Sequence, residues 1–264
     1  MSGLCDHSPR SALLSAWASA WLAGDCSLLD AVAHAAAYDD AHGVLGMGPD
    51  ELHLEQVLGR LRASGVVRFR VVLPVPGDIV GLPAPGPFSV AAVDAAEGVL
   101  ALRSDGTGTG LVPAVEAHGS ALDGTVTTTT WTAYDVVCAG PDPGPFLHDA
   151  EHDLRTGVAA CAELLAELDV ARWRPEVATA LQDLRRRAAV GIDEDELPGG
   201  YPARARRLLG QARQLAGVLS LANQDHGSAL DTRQMAGRER ALRDLEQLVR
   251  RAQVAAYNAY ADPA

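Results

Sequence analysis

The sequence contains no lysine, so all 22 of its basic residues are arginine. Against 34 acidic residues, this leaves a net charge of −12 and a pI near 5.0. A protein that binds nucleic acid through the phosphate backbone needs a basic surface, so we expect no nucleic-acid partner. Arginine instead favours planar, bidentate ion pairs with carboxylates, which lysine does not form.

Cysteine is also scarce and scattered. The four cysteines contain no Cys-x-x-Cys pair and lie far apart in the chain: Cys5, Cys26, Cys138 and Cys161. This spacing gives no sign of a thiolate metal site or a disulfide framework. Reduced, isolated thiols are typical of the cytoplasm, so we expect a cytoplasmic protein.

Long apolar runs are missing as well. The run from Ala12 to Ala23 has twelve residues and is interrupted by Ser15 and Ser19, whereas a membrane helix needs about 20. It also lacks the basic flank and cleavage site of a targeting segment. We therefore expect neither a membrane span nor a leader. Hydrophobic residues nevertheless make up 48% of the chain, which favours a buried core.

Helical periodicity dominates the chain up to about Ser64. A first helix is predicted to end at Gly24, a second to begin after the cap Ser27, and a third after the cap Asp50. Their expected buried positions are Leu13, Leu14, Trp17, Ala20 and Trp21, then Leu28, Leu29, Val32, Ala35 and Ala36, then Leu54, Val57, Leu58 and Leu61.

The period then changes to two, which indicates strands. Val67, Phe69, Val71 and Leu73 alternate with Arg68 and Arg70, which predicts one face towards solvent. Further strands are predicted at 99–103, 111–116 and 126–137, with a hairpin turn at Asp105-Gly106 and a short helix at 89–97. The threonine-rich run 126–137 is expected at an edge of a small antiparallel or mixed sheet.

After a Gly/Pro-rich linker at 139–145, helical periodicity returns and holds to the end. Four amphipathic stripes predict a bundle. They are Ala150, Leu154, Val158, Cys161, Leu165 and Leu168; Val177, Leu181, Leu184 and Ala188 after Pro175; Leu208, Ala212, Leu215, Leu219 and Ala222; and Leu242, Leu245, Val249, Ala252 and Ala256. The predicted class is therefore α+β. An α/β front (1–140, helices within 11–63 and sheet within 66–138) precedes a four-helix bundle (147–262).

The string His148-Asp-Ala-Glu151-His152 matches the H-x-x-E-H spacing of inverted-motif zinc peptidases. Two histidines four apart share a helix face and can ligate Zn²⁺, with Glu151 as a base. However, the apolar stripe of this helix lies nearly opposite both histidines, and Arg155 is one turn beyond Glu151. A solvated helix start is the preferred interpretation, and a divalent metal stays the alternative.

Asp30 and His34 form a second candidate metal site, because they are four apart on the second predicted helix. Asp39, Asp40 or His42 would complete the ligand shell at the helix end. The competing interpretation is a polar helix face opposite Leu29 and Val32.

Two further features carry no catalytic pattern. The loop from Pro74 to Phe88 is stiffened by proline and carries apolar residues suited to a partner: Ile79, Val80, Leu82 and Phe88. It either packs over the sheet or presents an apolar ridge. The string His-Gly-Ser-Ala-Leu-Asp occurs twice, at 118–123 and 226–231, with unrelated flanks and without triad geometry.

These patterns favour a non-enzymatic cytoplasmic binding or assembly module that associates with itself or another protein, through bundle or edge-strand surfaces. The first alternative is a metal-dependent hydrolase built on His148, Glu151 and His152 or on Asp30 and His34. The second is a small-molecule sensor with a pocket between the sheet and the bundle.

Overall fold

The computed structural model describes residues 8–120, 124–138, 144–167, 197–224 and 232–260. Within these ranges the chain is a mixed α+β protein with seven helices and a six-stranded mixed sheet. The helices are α1 (Arg10–Ala23), α2 (Leu28–Ala35), α3 (Leu54–Ala63), α4 (Pro87–Ala95), α5 (Leu147–Glu167), α6 (Ala203–Gln224) and α7 (Thr232–Asn258). The strands are β1 (Ala41–Leu45), β2 (Leu52–His53), β3 (Val66–Val72), β4 (Gly98–Arg103), β5 (Thr107–Ser120) and β6 (Gly124–Val137).

The chain forms two compact units. Among the described residues, one unit comprises 8–120, 124–138, 144, 197–202 and 257–260, and we call it the sheet unit. The other comprises 145–167, 203–224 and 232–256, and we call it the helical unit. None of the described helices is long and apolar enough to cross a lipid bilayer.

The sheet has the strand order β2-β1-β6-β5-β4-β3. Its neighbouring strands are antiparallel except β1 and β6, which are parallel. The expected mixed sheet is confirmed, as is the turn at Asp105-Gly106, where glycine adopts φ +81°. The edge position expected for the threonine-rich strand is wrong. β1 pairs with β6 along Thr128–Thr132 and makes β6 an interior strand.

Helix α1 lies at the centre of the sheet unit. Every residue from Ser11 to Trp21 is buried, so the predicted tryptophan stripe is part of a helix covered on all sides. Small alanine and serine side chains allow α2, β3 and β4 to pack against it. The helix ends as predicted at Gly24, which adopts φ +89° and donates its N–H to the last turn.

Two details of α2 and α3 differ from expectation. The buried residues of α2 are Ala31 and Ala35, whereas Leu29 is 67% exposed, because the smaller side chains permit closer packing against α1. The predicted cap Asp50 is wrong: α3 begins at Leu54 with His53 as its N-cap. The chain is still extended at Leu52–His53, where β2 pairs with β1. The buried residues predicted for α3 are confirmed.

Strand β3 departs from simple alternation. Its pairing with β4 shifts register between Val66 and Arg68, and Val67 within this shift is 63% exposed. Further along the strand, Arg70 is 5% exposed. The expectation that Arg68 and Arg70 both line a solvent face is therefore wrong for Arg70. Because the shift occurs at the start of the strand, Phe69 and Val71 face the core as predicted.

The helical unit contains three of the predicted amphipathic helices among its described residues. The predicted stripe residues that are buried are Ala150, Leu154 and Cys161 in α5; Leu208, Ala212, Leu219 and Ala222 in α6; Leu242, Leu245, Val249, Ala252 and Ala256 in α7. Val158 and Leu215 of the stripes are half-buried, while Ala205, Leu209, Ala241, Val254 and Ala255 are buried outside them. Gly157 brings α5 close to Leu248 of α7. The helix predicted after Pro175 lies outside the described residues, so the four-helix bundle is not confirmed.

The aromatic ring of Phe88 anchors α4 on the sheet. It is 2% exposed and belongs to a cluster with Val72, Ala92, Leu100, Leu102, Val112 and Val136. The ring lies directly on Gly110 of β5, where a Cβ atom would come within 2.3 Å of Phe88 Cδ2. Glycine is therefore required at this position by contact with the ring.

This contact predicts opposite outcomes for the same substitution at two glycines. Gly110→Ala should lower the free energy of unfolding by about 1–3 kcal/mol, because the added methyl group displaces the Phe88 ring. Gly59→Ala should raise it by about 0.5–1 kcal/mol, because Gly59 is helical and has no neighbouring atom within 4 Å of a new Cβ. Urea unfolding followed by tryptophan fluorescence measures both values. A midpoint shift in the same direction for both variants would contradict the packing described here.

Candidate functional site

A buried polar network surrounds the Asp39 carboxylate in the sheet unit. Arg10 binds it through both Nε (3.1 Å to Oδ2) and Nη2 (2.7 Å to Oδ1). The Thr129 hydroxyl donates to Oδ2 at 2.8 Å, and His42 Nε2 lies 2.9 Å from the same oxygen. The Asp39 and His42 side chains are 1% and 3% exposed, and that of Arg10 is 15% exposed. The network joins α1, the α2–β1 connection, β1 and β6.

The second ring nitrogen of His42 fixes its tautomer. Trp131 Nε1 lies 3.1 Å from His42 Nδ1, and an indole N–H is a donor only. Nδ1 must therefore accept, which leaves the proton on Nε2, where it is donated to Asp39. His42 is a neutral imidazole held between an indole and a carboxylate.

The pKa shifts agree with this assignment. Burial lowers the pKa of His42 and outweighs the opposing influence of Asp39. Burial acts to raise the pKa of Asp39, but hydrogen bonds from Arg10 and Thr129 more than offset it and hold that pKa below its usual value. An Asp–His ion pair would instead raise the histidine pKa. The charge of Asp39 is therefore balanced by Arg10, while His42 acts as a neutral donor.

The Asp39–His42 pair is buried and its ring nitrogens are both occupied. A general base needs a nitrogen that can reach a substrate proton, and both nitrogens of His42 are already hydrogen-bonded. Sequence spacing placed Asp39, Asp40 and His42 in one candidate metal shell and missed Thr129 and Trp131. The sequence did contain one signal for Thr129 and Trp131: they are two residues apart on a predicted strand, which places both side chains on the same face.

Glu97 supplies the cap that α1 lacks. The N-cap residue of α1 is Pro9, which makes no side-chain capping bond. Glu97 Oε2 instead accepts from the Ser11 backbone N–H at 2.9 Å and from the Ser11 hydroxyl at 2.6 Å. A carboxylate at a helix N-terminus is favourable, although burial raises the pKa of Glu97.

The candidate metal residues Asp30 and His34 have structural partners. The Asp30 carboxylate accepts from the N–H and hydroxyl of Ser27 in a capping box, which holds the pKa of Asp30 below its usual value. His34 Nδ1 lies 2.8 Å from the Asp30 carbonyl oxygen, and its ring stacks on Trp17 with centroids 3.7 Å apart. The cap Ser27 is thus confirmed, and His34 covers part of α1.

The residues of the H-x-x-E-H string lie at the start of α5 among arginines. Arg204 Nε donates to Glu151 Oε2 at 2.5 Å, and Arg204 Nη2 lies 2.9 Å from His148 Nδ1. Arg155 Nη2 lies 3.3 Å from His152 Nδ1. The bond from Arg204 is the main reason that the pKa of Glu151 is lowered. A guanidinium within the cluster opposes a divalent cation there. The described part of the chain holds no group of three His, Cys, Asp or Glu side chains suited to a metal.

The residues predicted to form an apolar binding loop separate into two sets. Phe88 is buried in α4, and Leu82 packs against the same core cluster. Ile79 is 61% exposed, and Val80 is half-buried. The apolar ridge therefore stays a prediction for Ile79 and Val80, because the other two side chains support the fold.

Strands β5 and β6 extend past the rest of the sheet. They pair with each other from Thr107–Val137 to Ser120–Gly124, whereas β4 pairs with β5 only as far as Leu111. We call residues 114–120 and 124–127 the arm. Each residue from 114 to 119 is exposed, so neither face of β5 is covered there. The arm contains the described start of the first His-Gly-Ser-Ala-Leu-Asp string. The second string lies outside the described residues.

Side chains or backbone of neighbouring residues bond to outward groups at two other strand positions. Asn258 pairs with the outer edge of β3, because its side-chain amide bonds Val71 N at 2.8 Å and Val71 O at 3.0 Å. Asp40 closes the outer edge of β6: its N–H donates to Thr127 O and its carboxylate accepts from Thr127 N, both at 2.7 Å. Exposed strand edges are natural sites of added strands, and the outer edge of β5 in the arm has no such cover among the described residues.

Two family descriptions match successive parts of the chain. "Rv1486c-like protein, N-terminal domain" matches residues 11–145, and "Rv1486c-like protein, C-terminal domain" matches residues 148–254. The chain is 30% identical over 283 aligned residues to the uncharacterized protein Rv1486c of Mycobacterium tuberculosis strain H37Rv. It is 28% identical over 288 aligned residues to the uncharacterized protein ML1804 of Mycobacterium leprae. Each alignment covers 93% of this chain and 95% of the relative. No solved structure matches.

The neutral state of His42 predicts a pH dependence of stability. Because the folded pKa of His42 is lowered, the unfolded state binds more protons below the ordinary histidine pKa. Stability present above about pH 6.5 should therefore decline as the pH falls, by at most about 1.4 kcal/mol per pH unit for this group. His42→Gln should flatten this decline, measured by urea unfolding between about pH 7.5 and pH 5.5.

The matched control is Thr129→Val, which removes a donor to Asp39 without removing a titrating group at these pH values. It should lower stability by about 1.5–3 kcal/mol at both ends of the range and keep the pH dependence of the unaltered chain. An unchanged pH dependence in His42→Gln would show that His42 is not held neutral.

Proposed function

The chain belongs to the Rv1486c-like protein family, and we propose that it is a non-enzymatic cytoplasmic binding or assembly module that works as an oligomer. The proposal includes the four-helix form of its C-terminal part, with the helix predicted after Pro175 as the fourth member. The proposed role is to bind proteins to one another, and we expect the chain to associate first of all with itself.

The hydrogen bonds and ion pairs that the ionisable side chains already form support a non-enzymatic role. Asp39 and His42 serve the sheet unit as a buried hydrogen-bonded pair, and Glu151 is bound by Arg204. A catalytic acid or base needs a lone pair or proton that faces a substrate. The candidate groups singled out by sequence instead bond to arginine side chains, to Ser27 or to backbone, which argues against the hydrolase alternative.

The observation that carries the proposal is the arm of β5 and β6. A two-stranded hairpin alone is marginally stable in water, and this one is exposed along 114–119. An extended pair of strands with an open edge suits the addition of a strand from another chain. This is the recognition mode that we propose for the protein.

The cysteines support the cytoplasmic part of the proposal. Cys26 and Cys161 are free thiols, as expected in a compartment kept reducing. Burial is the main reason that the pKa values of both residues are raised, which keeps both thiols protonated and unreactive.

Self-association predicts a molar mass above that of one chain, 27.6 kDa. We expect light scattering after size-exclusion chromatography to show a mass that rises towards the dimer between micromolar and submillimolar concentration. The rise should occur at about 0.05 M and about 0.5 M NaCl, because backbone hydrogen bonds are less sensitive to screening than exposed ion pairs. A monomer at every concentration and both salt levels would overturn the proposed function.

A further inference from the structure

The direction of the backbone groups in the arm follows from Asp40. Thr127 N and O both bond to Asp40, so they point away from β5. Ala117 lies opposite Thr127 in the antiparallel ladder, and in such a pair both residues direct their N–H and C=O away from each other. Ala117 therefore presents its N–H and C=O at the outer edge of β5.

The same alternation shows which other residues of β5 direct their N–H and C=O groups to the outer edge. Val115 shares the orientation of Ala117, because backbone direction repeats every two residues along a regular strand. Gly119, with φ +123°, ends this regular stretch. Pro113 has this orientation too, which suits a residue without an N–H. Towards the sheet, Leu111 uses its outward groups for pairing with Val99 of β4. Beyond Leu111 no described strand pairs with this edge, so the outward donors and acceptors of Val115 and Ala117 have no strand partner among the described residues.

We propose that this edge of β5 pairs antiparallel with the same edge of a second copy of the chain, centred on Ala117. The two arms then form a continuous four-stranded sheet. The inference rests on the proposed function and names its partner and its contact. The Ala117 residues of the two copies exchange N–H···O=C bonds, and Val115 of each copy lies opposite Gly119 of the other.

Charge selects this register and favours a second copy over an unrelated strand. Centred on Ala117, the pairing places Glu116 directly opposite His118 of the second copy, twice, at the non-hydrogen-bonded positions where side chains are closest. Moving the centre to Glu116 would set two carboxylates against each other, and moving it to His118 would set two imidazoles together. Glu116 and His118 already lie 3.2 Å apart on one face and are 69% and 63% exposed, so both are available.

The packing of the arm agrees with such a partner. Val115 is 46% exposed, and Gly119 of the second copy has no side chain to hinder it. Pairing also adds a strand to each arm, which a lone hairpin needs for stability. At Val71 of β3 and Thr127 of β6 the outward backbone groups already bond to Asn258 and Asp40.

The first test removes the outward N–H of Ala117. In Ala117→Pro the β5–β6 ladder keeps its hydrogen bonds, because that N–H does not point to β6. We expect the dissociation constant of the dimer to rise by about tenfold or more. Sedimentation equilibrium of the full chain measures this constant. Ala117→Val is the matched control, since it keeps the N–H and favours a strand; it should dimerise like the unaltered chain. A dimer of unchanged strength in Ala117→Pro would overturn this interface and leave the proposed function standing.

The second test uses charge complementation. His118→Glu places acids opposite acids in the pair, and Glu116→Arg places basic groups opposite basic groups, so each variant alone should dimerise several-fold more weakly than the unaltered chain at about 0.05 M NaCl. An equimolar mixture should restore the dimer, because the side chain introduced at position 118 of one variant then faces the oppositely charged side chain introduced at position 116 of the other.

Recovery of the dimer on mixing distinguishes a lost dimer contact from misfolding of the single variants, because adding the other variant cannot repair a misfolded arm. A monomeric mixture, or single variants that dimerise normally, would overturn the register. A monomeric unaltered chain would overturn both this inference and the proposed function.

Discussion

The Asp39 carboxylate is the constraint on which the sheet unit depends. It is 1% exposed and receives hydrogen bonds from α1, β1 and β6. A buried carboxylate is stable only when its charge is balanced and its oxygens are bonded, and loss of the oppositely charged partner of such a group typically costs about 3–5 kcal/mol. Because Asp39 directly precedes Asp40 and β1, satisfying it fixes where the chain after α2 must run. That path places β1 beside β6 in the parallel direction.

As a consequence, β6 is an interior strand of the sheet, and its edge away from β5 is paired. Asp40 and β1 use the outward groups of β6 from Thr127 onward, just as Asn258 uses those of Val71 on β3. The hairpin partner β5 receives cover from β4 only up to Leu111. The polar network therefore closes the β6 side of the hairpin, while the distal half of β5 stays open because β4 ends its pairing there.

Much of the fold follows from local pattern. Period-3.6 spacing predicted α1, α3 and the helices at the end of the chain, and Ser27, Gly24 and Gly106 marked a cap, a helix end and a turn that the structure confirms. These features depend on residues within a few positions of each other. The sequence pattern did not predict β1 and β2, because strands of five and two residues show too little alternation. These strands form only by pairing with distant parts of the chain.

The candidate site was less predictable for the same reason. Asp39 bonds to Arg10, 29 residues away, and to Thr129, 90 residues away. Spacing alone grouped Asp39 and His42 with Asp30 and His34, which instead form a helix cap and a stack on Trp17. Edge strands were expected to carry assembly, but the open edge belongs to β5 because β1 covers the threonine-rich strand. Which carboxylate finds which arginine depends on the tertiary fold.

The protonation state of His42 decides whether the buried network is structural. Long-range ¹H–¹⁵N NMR of the imidazole rings, assigned with the His42→Gln variant, reports which ring nitrogen carries the proton. We expect a neutral ring with its proton on Nε2 at about pH 6, where an ordinary histidine is mostly charged. A charged imidazolium at that pH, or a proton on Nδ1, would contradict the hydrogen-bond network in which a neutral His42 donates to Asp39 and accepts from Trp131.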